Sequence, residues 1–315
     1  MIPATPLPDF RSPAFLRAHI DDTLGFYLPR ALDPSGGLFH FLRDDGSVYD
    51  AHTRHLVSST RYVVTLGMAV RRGLGGDVAR LALQQAFDFL PVHRNPDTGG
   101  YAWLLDWQGG QACVLDGTNH AYGLAFVLLA HAHAHMAGVG GAHAGIAQTF
   151  DLLEQRFWEP VHGLYADEAT PDWQLRAYRG QNANMHLCEA LLAAFDATQA
   201  ARYLDRAALL AEHITVRQAA LADGLVWVST GACTTASRPM AASATATSTS
   251  GSRPNRWPPR RAWPPSPASS ATGPPTSTCG PMPGAISWTT NTAPGGASSR
   301  PTTASTRTRR ARPAR

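Results

Sequence analysis

Lysine is absent from all 315 residues, so every one of the 27 basic side chains is an arginine. With so much Ala, Gly and Pro, this usage points to a GC-rich coding sequence. Acidic residues stop at Asp223, and none of the 13 histidines lies beyond it. Before that point 16 arginines face 23 acids, a net charge of −7, and the remainder carries +11. The basic character therefore belongs to the C-terminal stretch and gives no reason to expect a nucleic-acid partner for the folded part. Cysteine is scarce. Cys113, Cys188, Cys233 and Cys279 show neither a CxxC pair nor ligand spacing. Cys188 reads as a small buried hydrophobe, and a reducing cytoplasm is expected. Long apolar runs are missing too. The longest, around Ala121–Ala130, is too short to span a bilayer, so no membrane partner is expected. The N-terminal MIPATPLPDFRSPAF lacks a charged segment followed by an apolar core, so it does not read as a signal peptide.

What is present is a repeat. A glycine phrase recurs as Gly36-Gly37-Leu38-Phe39, Gly99-Gly100-Tyr101-Ala102 and His162-Gly163-Leu164-Tyr165, at intervals of 63 residues, and again as Gly224-Leu225-Val226-Trp227 after 61. Between the phrases lie pairs of helical patterns near 52–73 and 77–92, 117–136 and 142–157, and 181–197 and 199–216, with a further helix near 13–32. Apolar residues at three and four spacing mark them; Leu187, Ala190, Leu191 and Phe195 form one stripe. Asp116 or Thr118 is expected to cap one helix start, Gly73 or Gly75 to end another, and the phrase glycines to supply positive φ for tight returns. Helical hairpins of this kind cannot bury their faces alone and must stack into a solenoid or close into a ring. Three and a fraction hairpins leave a ring open.

The periodicity stops near Gly231, and Ser, Thr, Pro, Ala, Gly and Arg take over. The plain reading is a low-complexity, disordered tail. The genetic code supports a sharper one. Read one base upstream, Thr245–Pro259 can encode DRDKYFWVQAESLAA, Ile286–Gly295 can encode HFVDHEHGAW, and Thr308–Arg315 can encode DEKSPAGK. All three windows agree on one shift. Residues 1–227 are thus expected to be a partial helical ring, and 228–315 an out-of-frame translation.

The chemistry-bearing residues concentrate in three segments. In Tyr178–Glu189, YRGQNANMHLCE, Asn182 and His186 are four apart and share a helix face, a setting for a proton carrier near neutral pH; a satisfied core histidine is the competing reading. Arg61, in HLVSSTRY, enters an apolar helix among Ser and Thr and suits a substrate hydroxyl or enolate oxygen, or equally a surface ion pair. Tyr122, in AYGLAFVLLA, starts a helix with its hydroxyl free for a cavity, or packs in the core. Phe39, Tyr101, Trp103, Trp107, Trp158, Tyr165 and Trp173 suit sugar faces and cores alike. Of His131, His133, His135 and His143, only His131 and His135 could share a helix face, no third ligand follows, and no metal is expected. Gly73–Gly76 lacks the Lys and strand context of a phosphate loop.

QNANMHLCEALLAAFDAT followed by YLDRA, HLVSSTRYVVTLGMA and YGLAFVLLAHA together resemble the N-acylglucosamine 2-epimerase family, with its mannose isomerase and cellobiose 2-epimerase types. The likeness covers about 223 residues in frame, and the re-read segments DRDKYFWVQAES, DHEHGAW and DEKSPAGK resemble later family hairpins. Leu124 stands where many members have His or Gln. The resemblance implies an all-α fold, here an incomplete (α/α)6 barrel around a sugar pocket, and an isomerase that needs no cofactor. It implies a free aldose of the mannose, glucose or N-acylglucosamine type as substrate, His186 as the group that moves a proton through a cis-enediolate, and Arg61, Tyr122 and Asn182 as substrate contacts. A homodimer is expected of the intact ring. Two further pocket histidines of the family, in Gly-His-Gln and Asp-Tyr-His segments, are absent, so the polypeptide as written is expected to be inactive and poorly soluble. Rival readings are a glycoside hydrolase or lyase on the same ring, with Asp106, Glu168 and Asp172 as carboxylates, and a non-catalytic binding protein.

Overall fold

The computed structural model describes residues 9–218 and residue 220, all in one compact unit. The fourth glycine phrase at Gly224 and the stretch 228–315 lie outside the described residues. After helix α1 (Pro13–Tyr27) come the paired strands β1 (Phe41–Leu42) and β2 (Val48–Asp50), then β3 (Thr53–His55), which runs straight into α2 (Leu56–Arg71). Helix α3 (Gly76–Phe89) returns and ends in a 3-10 turn, Leu90–His93. Strands β4 (Leu104–Gln108), β5 (Gln111–Asp116) and β6 (Asn119–His120) lead into α4 (Ala121–Met136), and α5 (Ala142–Arg156) returns. Strands β7 (Trp158–Glu159), β8 (Leu164–Tyr165) and β9 (Glu168–Ala169) precede α6 (Gln181–Thr198) and α7 (Ala201–Glu212), which runs on into a π turn, His213–Gln218.

Among the described residues there are therefore three helix pairs, and they form an incomplete (α/α)6 barrel. Helix α4 packs against α2 on one flank and α6 on the other, while α3, α5 and α7 each back their own partner from outside. Composition explains this division. Every residue of Gly123–Ala130 is buried, so α4 has no polar stripe and needs neighbours all round. Outer helix α7 instead turns only Tyr203, Ala207 and Leu210 inward, spaced four and three apart. Helix α4 also joins the two core clusters, giving Leu124–Phe126, Leu128 and Leu129 to one and Ala130 and Ala134 to the other.

The inner helices come close because small residues sit where they cross. A Cβ added to Gly67 of α2 would lie 3.0 Å from the backbone oxygen of His133 on α4. Elsewhere, the glycine phrases play the expected part with one difference. Gly37 and Gly163 hold φ of 68° and 65°, but in the middle phrase Gly99 takes the positive φ (73°). Gly100 is needed for space: a Cβ there would stand 2.3 Å from Asn119 Oδ1.

Several boundaries depart from expectation. Residues 53–55 and 119–120 are strands rather than first helical turns, because each pairs with a later phrase: His55 opposite Leu104, His120 opposite Glu168. The first helix stops at Tyr27 rather than near 32, since Pro29 disfavours helical geometry at Leu28, whose ψ is 133°. Neither Asp116 nor Thr118 caps α4; His120 precedes it, and Asp116 instead accepts the Thr118 N–H within a turn. Gly73 does follow the end of α2 with φ of 67°, whereas Gly75 opens α3.

Replacing Gly67 by Leu, a good helix former, tests the α2–α4 contact. The backbone carbonyl of His133 cannot move aside as a side chain would, so the variant should lose about 2–3 kcal/mol to overpacking. A midpoint in urea equal to that of the parent chain would show that these helices do not meet here.

Candidate active site

The residues just after the second and third phrases clamp the start of the inner helix before them. The Leu56 N–H that opens α2 donates to Trp103 O at 3.0 Å, and the Ala121 N–H that opens α4 donates to Asp167 O at 2.8 Å. Helix starts expose unpaired N–H groups, so these bonds fix where each helix begins. The Asp167 carboxylate then accepts the Gly180 N–H at the start of α6. Buried amides add a second tie of the same kind. Asn119 Oδ1 accepts from Tyr101 N, and Asn184 Oδ1 from Tyr165 N, both at 2.9 Å.

With the starts set, register places the side chains. His55, His120 and Gly180 stand immediately before α2, α4 and α6. Six residues beyond each are Arg61, Phe126 and His186. These three equivalent positions touch in order. The Arg61 guanidinium lies 4.7 Å above the Phe126 ring, and the Phe126 and His186 ring centroids are 4.9 Å apart. Tyr122, one turn earlier on α4, meets His186 edge-on at 5.2 Å and accepts a hydrogen bond from Arg61 Nη2 at 3.1 Å. His186 Nδ1 bonds Glu189 Oε2 at 2.9 Å. The wall so formed carries a fixed cation, a phenol and an imidazole over an aromatic floor. It can orient an oxygen-rich ligand and exchange a proton with it.

Behind Tyr122 stands a second row. Trp103 lies 4.3 Å from the His55 ring, 4.1 Å from His120 and 6.2 Å from Tyr122. Burial holds His55 below the ordinary imidazole range, helped by the positive charge of His120 and Arg61 nearby. Burial likewise lowers His120, against the pull of Glu168, whose carboxylate is 3.6 Å from its Nδ1 and 3.5 Å from Arg176. Asp167 is driven the other way. Burial pushes its carboxyl up to about 6, with the Gly180 N–H opposing.

Of the residues singled out in the sequence, the structure brings Arg61, Tyr122 and His186 together. Asn182 is exposed one turn before His186 on the same helix, and the buried amide of that segment is Asn184. Among the seven aromatics, Trp103 adjoins Tyr122. Trp107 is buried with its Nε1 donating to Ser35, and Tyr165 is buried near Arg206. His131 packs on Phe87 and His135 on His143, which separates the two histidines that shared a face. Among the described residues no group of three His, Cys, Asp or Glu side chains is placed to hold a metal. The three candidate carboxylates serve local bonds: Asp106, which lies in strand β4, accepts from Gln108, Glu168, which opens β9, meets His120 and Arg176, and Asp172 accepts from Thr170. Leu124 is buried. Sequence reasoning missed the part played by Phe126 and Glu189, because the starts of the inner helices are set by strand pairing that has no local signal.

Residues 37–229 match the N-acylglucosamine 2-epimerase family. A D-mannose isomerase of Marinomonas mediterranea is 51% identical over 217 residues, which are 69% of this chain and 54% of that one. A D-mannose isomerase of Thermobifida fusca is 41% identical over 128 residues, 40% of this chain and 30% of the other. A solved D-mannose isomerase superposes with a TM-score of 0.67 at 50% identity, covering 71% of this chain and 56% of its own. A cellobiose 2-epimerase from Bacillus thermoamylovorans, at 18% identity, shares the fold with a TM-score of 0.58 over 64% of this chain and 56% of its own. The chain thus spans about half the length of the Marinomonas mediterranea and solved D-mannose isomerases. No described helix is long and apolar enough to cross a membrane.

The raised Asp167 carboxyl has a consequence for stability. Its folded-state value lies above the ordinary 3.8, so its stabilising share is complete below pH 3.8 and is lost as pH rises through about 6. Asp167→Asn keeps an acceptor for Gly180 without the charge. The variant should match the parent at pH 3.5 and exceed it by about 2 kcal/mol at pH 8 in urea titrations. Equal stabilities at pH 8 would contradict the assignment.

Proposed function

The chain belongs to the N-acylglucosamine 2-epimerase family, and we propose that residues 1–227 form the substrate-clamping, base-carrying wall of an isomerase acting on a free aldose of the mannose type. One observation carries this reading: Arg61, Tyr122 and His186, from three different helices, meet around Phe126. The names of the D-mannose isomerase relatives support mannose as the sugar.

In the open-chain sugar the C1 carbonyl acidifies the C2 proton. His186 takes that proton, and the electrons of the C2–H bond move into a C1–C2 double bond as negative charge builds on the carbonyl oxygen. Arg61 balances the charge of this cis-enediolate, while Tyr122 and Asn182 hold hydroxyl groups. Return of the proton to C1, with the hydroxyl proton passing from O2 to O1, gives the ketose. Return to the opposite face of C2 gives the epimer and needs a second acid–base group. No histidine follows His213, so neither of the family's two further pocket histidines is supplied. With the ring left open and those histidines missing, the polypeptide of 315 residues is inactive in this reading, and 228–315 is an out-of-frame translation of the later hairpins. The family match ends at residue 229, close to the proposed frame change.

Two experiments test this. The purified chain should interconvert mannose and fructose no faster than its His186→Ala variant. A product whose frame is restored near codon 228 should be active, and should lose about 10²–10⁴-fold on His186→Ala. Activity of the restored enzyme that survives loss of His186 would sink the assignment. The DNA across codons 220–315 should keep the alternative frame open; stop codons there would reject the frame change.

A further inference from the structure

Glu189 occupies a position that packing does not explain. It stands nine residues beyond the residue preceding α6, and the equivalent positions of the two neighbouring inner helices are Val64 and Leu129. Leu129 is buried in the main core cluster, and Val64 packs against it. The repeat thus fills this register with apolar side chains and departs from the pattern on the one inner helix that carries the imidazole. The carboxylate is three residues from His186, on the same helix face, and reaches Nδ1 at 2.9 Å. Glu189 is itself half-exposed, with a side-chain exposure of 58% against 21% for His186, so burial does not force the contact. An exposed pair of this spacing adds only a few tenths of a kcal/mol to a helix, which leaves little structural reason for it.

We propose that Glu189 is a positioning residue. Its carboxylate accepts a hydrogen bond from Nδ1–H and so selects the tautomer of His186 in which Nε2 carries the lone pair. A neutral imidazole has one donor nitrogen and one acceptor, and the partner of the first decides the identity of the second. Tyr122 and Phe126 pack against the same ring and limit its rotation about the Glu189 bond. The nitrogen left to take a proton from a ligand is then Nε2. When it does so, the imidazolium keeps its Nδ1–H bond to a carboxylate. The inference rests on the reading of His186 as the base, but its test does not depend on turnover.

The test is the tautomer itself, read from the nitrogen chemical shifts of the full chain labelled with ¹⁵N-histidine. The His186 signal is assigned by its loss in His186→Gln, and spectra are taken where the ring is neutral. The parent chain should show Nδ1 as the protonated nitrogen. Glu189→Ala should turn the majority of the population to Nε2–H, the form that an unrestrained imidazole favours. Glu189→Gln, whose side-chain oxygen can still accept, should restore Nδ1–H. An Nε2–H ring in the parent chain, or an Nδ1–H ring that survives in Glu189→Ala, overturns the proposal. Either result leaves the activity test of His186→Ala standing by itself, so failure of this inference and failure of the isomerase reading are told apart.

Discussion

Everything in the described structure hangs on the burial of α4 between α2 and α6. A helix without a polar face has one stable environment, the interior, and each of its buried leucines contributes about 1.5–3 kcal/mol to holding it there. Its neighbours must then approach closely enough to leave no gap, which Gly67 allows on the α2 side. Once three helices lie side by side with their starts at one end, residues of their second turns, Arg61, Phe126 and His186, meet one another. The proposed site wall is a by-product of that packing.

The repeat supplies the convergence and the chemistry breaks the repeat. Arg61, Phe126 and His186 are three answers to one structural question, asked once per hairpin. Because they touch in sequence, a cation, an apolar ring and an imidazole stand in a row without any loop having to fold over them. The Arg61 contact with Phe126 is worth about 0.5–1 kcal/mol at an exposed site, which is enough to favour one rotamer but not to stabilise the fold. Fixing the start of each helix matters more. Hydrogen bonds from Leu56, Ala121 and Gly180 to the Trp103 carbonyl, the Asp167 carbonyl and the Asp167 carboxylate hold these registers. A slip of one residue at any of them would turn a site side chain about 100° away from its neighbours.

Much of this could be read from the sequence, and the failures have physical causes. The helix pairs were legible because the glycine phrases recur at a constant interval and the apolar spacing is strong. Tyr122 was legible as a phenol at a helix start and His186 as an imidazole one turn from Asn182, and the family resemblance gave them roles. The short strands at His55 and His120 were not, because they exist only through pairing with phrases some fifty residues away. Asn182 and Asn184 could not be separated by type, since which of two amides two residues apart turns inward depends on where α6 begins. Asp167 carried no local signal at all. Its raised carboxyl comes from burial between two helix starts, a property of tertiary packing.

The most direct measurement is a crystal structure of the full chain with an open-chain hexitol, which presents the hydroxyls of an acyclic sugar without the reactive carbonyl. The polyol should lie against Phe126, with hydroxyl oxygens within hydrogen-bond distance of the Arg61 guanidinium and of His186 Nε2. A hexitol bound elsewhere, or a structure in which Arg61 and His186 stand on different walls, would contradict it.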